Sequence, residues 1–201
     1  MTEKEKMISG RLYCAQDETL RREHASALRL TRLFNRTTEE ESARRGELLR
    51  ELFASVGKNV TIEPTFRCDY GRNIHIGDNF FANFDCIILD VCTVTIGSDV
   101  LFGPRVCLYT AAHPLDAEVR RSGLEYGQPI HIGDTVWIGG NAVINPGVSI
   151  GARSIIGSGS VVTKDIPPDV VAAGNPCRVI RAINDTDRAY WKRLRQDHTE
   201  E

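Results

Sequence analysis

A period of six residues governs the chain from Ile132 to Pro167. In that step the segment reads IGDTVW, IGGNAV, INPGVS, IGARSI, IGSGSV and VTKDIP, with an aliphatic residue at 132, 138, 144, 150, 156 and 162. Six does not match the 3.6-residue turn of a helix and is too long for the two-residue alternation of a strand. It does match a short strand plus a turn, wound so that each coil stacks on the last as a parallel β-helix. The aliphatic residue of each step then points inward. The residue four positions on, Val136, Ala142, Val148, Ser154 or Ser160, shares the interior. Gly133, Gly139, Gly151 and Gly157 are expected to carry the backbone round the corners without a Cβ clash. A repeat of this kind is a scaffold, and its chemistry has to come from residues grafted onto it.

The same step extends towards both ends. It begins at Val56, Ile62 and Cys68, slips by two residues to Ile76, Ala82 and Ile88, and slips again to Ile96, Phe102 and Leu108. Such slips predict corners that bulge or lengthen. The next positions, Pro114, Arg120 and Tyr126, are not aliphatic, yet the phase returns at Ile132, so an excursion over residues 113–128 replaces or interrupts one coil. Long excursions from compact folds are usually functional. After Lys164 the run DIPPD is expected to stop the coil, because adjacent prolines cannot donate to a ladder. Val170 to Arg181 reads as a closing strand and turn, and the tail from Asn184 as a short helix or a frayed end.

Ahead of the repeat the period becomes helical. Asp17 is placed to cap a helix with Leu20, Ala27, Leu28, Thr31 and Phe34 on its inner face. Thr38 and Glu41 read as a capping box for a second helix, buried through Leu48, Leu49, Leu52 and Phe53 and ending near Gly57. Two short helices bury no core of their own, so they are expected to pack on the first coils. The expected organisation is a helical unit over 1–55, a β-helix over 56–183 with a loop at 113–128, and a tail over 184–201. A formal net charge of −2 on 201 residues points to neither nucleic acid nor a membrane surface. The start, MTEKEKMISG, lacks the apolar stretch of an export signal, so a cytoplasmic location is expected. Cys14, Cys68, Cys86, Cys92, Cys107 and Cys177 form no CxxC pair and read as reduced thiols acting as small hydrophobes.

His113 stands where the regular coil gives way to the excursion, in LYTAAHPLD. An imidazole with a solution pKa of about 6.5 accepts a hydroxyl proton at neutral pH, as acyl transfer to an alcohol requires. Around it, GRLYCAQDETL, YGRNIHIGDNFFANFDCIILD, YTAAHPLD, PIHIGDTVWIGGNAVINPGVSIG and VVTKDIPPDVVAAGNPCRVIR together resemble the maltose and galactoside O-acetyltransferases among the hexapeptide-repeat acyltransferases. The resemblance covers nearly the whole chain. It implies a left-handed β-helix and transfer of acetyl from acetyl-CoA to a sugar hydroxyl without a metal. It also implies a homotrimer with active sites between neighbouring subunits.

Carried over position by position, the resemblance makes His113 the general base and Asp17, Asp69 and Asn83 acceptor contacts. Locally, Asp17 also reads as a helix cap and Asn83 as a turn residue. Gly140, Ser158, Thr163, Lys164, Arg178 and Arg181 fall on positions that contact acetyl-CoA. The three cations suit its phosphates, and a glycine at 140 lets a backbone N–H approach the thioester oxygen. Trp137 is a candidate for the channel wall, with packing at a subunit interface as the alternative. Asp69 stands where galactoside-type members have serine, and Val91 where they carry a second carboxylate. Both departures point toward maltose or glucose.

The same residues bear on other functions. A zinc-dependent carbonic anhydrase-like protein needs three imidazoles round one metal. The repeat offers His75, His113 and His131, and the first and last precede Ile-Gly pairs at positions expected to face outward. A scaffold without activity would have no need of His113 or the basic end of the repeat. A nodulation-type oligosaccharide, a galactoside, an amino sugar, serine or a drug remains open as acceptor, with the helical unit, Asp17 and Asn83 favouring a sugar.

Overall fold

Each coil contributes one short strand to each of three parallel sheets, the faces of a triangular β-helix. The structure, a computed structural model, describes residues 1–199. Face I stacks Ser55–Val56, Ile74–Ile76, Val94–Ile96, Ile130–Ile132 and Ser149–Ile150. Face II stacks Thr61–Ile62, Phe81–Ala82, Leu101–Phe102, Trp137–Ile138, Ile155–Ile156 and Val170–Ala173, with Arg178–Ala182 antiparallel at its end. Face III stacks Phe66–Cys68, Cys86–Leu89, Cys107–Tyr109, Val143–Ile144 and Val161–Val162. The inward residues lie in register down each face, for example Ile76, Ile96, Ile132 and Ile150. They form one continuous core in which Phe80 meets Phe102 edge to face at 5.0 Å. Val136, Ala142, Val148, Ser154 and Ser160 are buried there as expected. The two serines are satisfied: Ser154 Oγ donates to the Pro167 carbonyl at 2.8 Å, and Ser160 Oγ accepts the Gly174 N–H at 3.1 Å.

The glycines avoid a Cβ clash as expected, but they are not the residues whose backbone turns left-handed. The corners turn three positions after each inward aliphatic residue. There Asn59, Asn79, Asp85, Asp99, Arg105, Thr135, Asn141, Arg153 and Asp169 all take φ between 54° and 62° despite having side chains. Gly133, Gly139, Gly151 and Gly157 are not among the left-handed residues. They are small because the next coil lies directly on them: a Cβ at Gly133 would sit 2.7 Å from the Ala152 nitrogen, and one at Gly139 2.6 Å from that of Ser158.

Coil length varies at one edge. Val56, Ile76 and Ile96 pair in turn, so these coils are 20 residues round. The two extra residues fall between faces III and I, at Asp69–Asn73 and one coil above. The proline run shortens the last coil and does not stop it. Ile166 still bridges Ile150, and Val170–Ala173 still pairs with Ile155–Ile156. Pro167 and Pro168 lie at an edge with no further coil above them on face I, so their missing N–H groups leave no ladder bond unmade.

The helical unit closes the first coil. Helix α1 (Glu3–Ile8), absent from the sequence-based expectation, starts at a Thr2–Glu5 capping box. Helix α2 (Glu18–Phe34) is capped by Asp17, whose carboxylate accepts the Thr19 and Leu20 N–H groups at 3.0 and 3.1 Å. Its inner face is Leu20, Ala27, Leu30, Thr31 and Phe34. Leu28 falls outside the i, i+3, i+4, i+7 stripe and is 46% exposed. Helix α3 (Ser42–Leu52) begins a turn later than expected and ends earlier. The Glu41 carboxylate accepts the Thr38 N–H at 2.8 Å, but the Thr38 hydroxyl turns to the same carboxylate, so only half a capping box forms. Asn35 fastens the unit to the solenoid, accepting the Phe66 N–H and donating to the Phe66 carbonyl, each at 2.8 Å. Phe53 meets Phe66 at 5.5 Å.

The excursion is a hairpin, not a loose loop: Ala111–Ala112 pairs antiparallel with Leu124–Gly127 across helix α4 (Ala117–Arg121). The tail forms helix α5 (Asp185–Thr199) with no buried residue, and the last two positions of the tail lie outside the described residues. Among the described residues no helix is long and apolar enough to cross a membrane. All six cysteines are free thiols, Cys14 and Cys107 partly exposed and the others buried.

This division of labour predicts opposite responses at neighbouring positions. Gly133→Ala should destabilise by about 1–3 kcal/mol through overpacking against the next coil. Thr135→Gly, which relieves left-handed strain, should cost less than about 1 kcal/mol. Thermal denaturation of the two variants checks the order.

Candidate functional site

The excursion and the helical unit enclose a cleft against the edge between faces III and I. Tyr13–Cys14 adds to Leu124–Gly127, making a three-stranded sheet with Ala111–Ala112 on the far side. Tyr13 lies opposite Glu125, and its hydroxyl donates to the Glu125 carboxylate at 2.9 Å. On the other flank Ala111 pairs with Gly127 and Ala112 with Tyr126. Continuing that register by one residue sets His113 opposite Glu125, and residues directly opposite share a face. A Cβ at Gly127 would meet the Val91 side chain at 2.8 Å, so this face is turned toward the solenoid corner. His113 itself is exposed. Glu125 lines a cleft of about 340 Å³ together with Tyr13, Gln16, Arg21, His24, Asp69, Tyr70 and Val91; His113 is not among its lining residues. Asp17 adjoins Gln16, partly exposed, with its carboxylate committed to capping α2.

The cleft is polar over an apolar floor. Burial holds the Asp69 carboxyl above the ordinary carboxylate range; His24 pulls against that shift and Glu125 adds to it. Tyr13 and Tyr70 are pushed up chiefly by burial and next by the neighbouring carboxylates, so both stay protonated donors at neutral pH.

A second group of the expected residues lies on the edge between faces II and III. Asn83 accepts the Phe84 N–H at 2.8 Å through its side-chain oxygen, a turn role that leaves its NH₂ free to donate. Two and three coils above, the backbone N–H groups of Gly140 and Ser158 meet no acceptor among the described residues. On the edge between faces I and II the corresponding N–H groups of Lys58, Asp78 and Ser98 are capped by Asp78, Ser98 and Asp134 side chains. Space at Gly140 is tight, since a Cβ there would sit 3.1 Å from the Pro104 carbonyl oxygen.

Trp137 is 50% exposed on the outside of face II, in a column with Phe81, Leu101, Ile155 and Val171. Thr163 and Lys164 follow face III on the same edge as His113, two coils higher. Arg178 and Arg181 lie on the last strand of face II. Arg181 forms a two-pronged ion pair with Asp187 at 2.6 and 2.9 Å.

Of the expected residues only Asp69 lines the cleft, with Asp17 next to its wall residue Gln16 and His113 next to the strand that pairs with Leu124–Gly127, whereas Asn83, Gly140 and Ser158 sit one edge away. The six residues from one edge to the next span roughly 15–20 Å of strand and turn. One copy of the chain does not bring the two groups into contact. His75 and His131 lie on face I, away from His113, and no group of three potential metal ligands converges among the described residues. Sequence reasoning missed Tyr13, His24 and Glu125. Glu125 had no signal because it lies in the excursion, where the six-residue phase is lost.

Comparison with known proteins shows which family shares this sequence and fold. Residues 6–57 match the maltose acetyltransferase hexapeptide capping motif, and residues 129–164 match the bacterial transferase hexapeptide repeat, six repeats in all. The galactoside O-acetyltransferase of Escherichia coli (strain K12) is 50% identical over 187 residues, 93% of this chain and 92% of the relative. A maltose O-acetyltransferase from Clostridium difficile 630 superposes with a TM-score of 0.91 at 59% identity, covering 92% of this chain and 99% of that one. A galactoside acetyltransferase in complex with coenzyme A superposes with a TM-score of 0.91 at 49% identity, covering 94% of each chain.

Burial at Asp69 has a measurable sign. A carboxyl raised in the folded state holds its proton more tightly there, so its contribution to stability falls as pH rises through the ordinary aspartate range to the raised value, then levels. Relative to wild type, Asp69→Asn should therefore melt higher at pH 8 than at pH 4. Thermal melts of both proteins at the two pH values test the sign.

Proposed function

The chain belongs to the maltose and galactoside O-acetyltransferase family of hexapeptide-repeat acyltransferases, and from that premise we propose that it transfers acetyl from acetyl-CoA to a hydroxyl of maltose or glucose. The observation that supports this reading is the hairpin register, which extended by one residue sets exposed His113 opposite Glu125, a wall of the polar cleft. The acceptor hydroxyl gives its proton to the His113 imidazole while its oxygen attacks the thioester carbonyl. The tetrahedral intermediate places its oxyanion against the open Gly140 N–H, then collapses. Its C–S bond breaks, and the coenzyme thiolate takes the proton back from His113. Asp17, Asp69 and the Asn83 amide bind acceptor hydroxyls, with Glu125 as a further carboxylate beside Val91. Asp69 and Val91 replace the serine and carboxylate of galactoside-type members, which favours a glucose-type acceptor.

Acetyl-CoA is read onto Gly140, Ser158, Thr163 and Lys164, with Trp137 along its channel and Arg178 and Arg181 toward its phosphates. The coenzyme A bound to the relative at 49% identity supports the cofactor. A homotrimer accounts for the separation of the two residue groups, because a neighbouring copy brings its own edge to the first. The outward residues favour face II as a contact surface: Leu101 and Trp137 are large and exposed there, while face I presents Ser55, His75, His131 and Ser149.

Two measurements decide the reading. His113→Ala should lower kcat by about 10²–10⁴-fold and leave the KM for acetyl-CoA nearly unchanged; near-normal turnover by the folded variant rules the base out. Mixing His113→Ala with Asn83→Ala subunits after reversible dissociation should restore about one intact site in four if each site draws on two copies. No recovery above the parent variants counts against shared sites.

A further inference from the structure

The lengthened corner Asp69–Asn73 carries two walls of the cleft, and its extra residues present N–H groups that no strand ladder takes up. Asp90, fully buried in the coil above, accepts three of them. Its Oδ1 takes the N–H groups of Asp69 and Tyr70 at 3.0 and 2.9 Å, and its Oδ2 takes that of Asn73 at 3.3 Å. The Asn73 side-chain amide in turn donates to the Asp90 carbonyl at 2.7 Å. One coil higher, in the same place past the inward residue, stands Thr110, also fully buried. Its hydroxyl accepts the Cys92 N–H at 2.9 Å and donates to the Leu89 carbonyl at 2.7 Å. Thr110 therefore fixes the corner that holds Asp90, and Asp90 fixes the corner that holds Asp69.

We propose that Asp90 is a positioning residue for the acceptor, its carboxylate setting the Asp69–Asn73 corner so that Asp69 meets the bound sugar, with Thr110 holding Asp90 in turn. This rests on reading the cleft as the acceptor site. A buried carboxylate costs free energy unless its lone pairs are well used. Burial pushes Asp90 up to about 7, against the pull of the backbone N–H groups and with nearby Asp69 adding to the shift. The chain keeps this costly group at the corner whose orientation the acceptor reads. The 18-residue coils from Ile132 onward need no such residue.

Asp90→Asn keeps the shape but turns one acceptor into a donor that faces an N–H. With glucose and acetyl-CoA as substrates, its KM for glucose should rise by about tenfold or more, the loss of one charge-assisted hydrogen bond, while the KM for acetyl-CoA stays within about twofold. An unchanged glucose KM in the folded variant overturns the inference, as does a joint rise of both KM values, which marks a merely structural role. Where Asp90→Asn does not fold, Thr110→Val should raise the glucose KM alone and Thr110→Ser should restore it; a silent Thr110→Val overturns the relay. Asp69→Asn is the control. If it too leaves the glucose KM unchanged, the acceptor reading itself has failed; if it raises that KM and Asp90→Asn does not, only the role of Asp90 has failed.

Discussion

Backbone hydrogen bonds between stacked coils fix where every residue of the solenoid must lie. The Gly77 N–H reaches the Ile96 carbonyl, that of Gly97 reaches Ile132, and that of Gly133 reaches Ile150, all close to 2.9 Å. At these positions on the edge between faces I and II, holding that spacing leaves no room for a Cβ directly after the inward residue, which is why glycine recurs there. It also forces a left-handed residue two positions later, and the chain accepts asparagine, aspartate, threonine and arginine in that conformation. Each such residue carries about 1–2 kcal/mol of strain, offset by the burial of an aliphatic side chain at about 1.5–3 kcal/mol per step.

Chemistry gathers where this regularity is relaxed. The edge between faces III and I is lengthened in the lower coils and opened by the hairpin at 111–127. There the N-terminal strand Tyr13–Cys14, α2 and the hairpin supply side chains a bare solenoid lacks, among them Tyr13, His24 and Glu125. The edge between faces II and III stays regular, yet its Gly140 and Ser158 N–H groups are left without side-chain caps. An open donor of that kind has little structural value and suits an incoming oxygen.

Much of the solenoid was legible in the sequence because its period has a direct physical cause. Ile132, Ile138, Ile144, Ile150 and Ile156 are inward by spacing alone, and the buried serines at 154 and 160 keep the same phase. Asp17 as a cap was legible for a similarly local reason, the need of the first helical N–H groups for an acceptor. The Thr2–Glu5 capping box carried the same kind of signal for α1. Leu28 misled because a 3.6-residue period leaves adjacent aliphatic residues ambiguous until a neighbour fixes the stripe. The prolines at 167 and 168 misled because their cost depends on whether a coil follows.

By itself the sequence determined the repeat, its inward residues, the interruption at residues 113–128 and the family resemblance, since each is written in spacing or in contiguous phrases. Only the tertiary structure decided that Glu125 faces Tyr13 and lines one cleft with Asp69 and Val91, that Asp90 holds the corner beneath it, and that Asn83 and Gly140 lie a full face away. Those relations join residues 17 to 112 positions apart. They are set by which coil rests on which, and local periodicity carries no information about that.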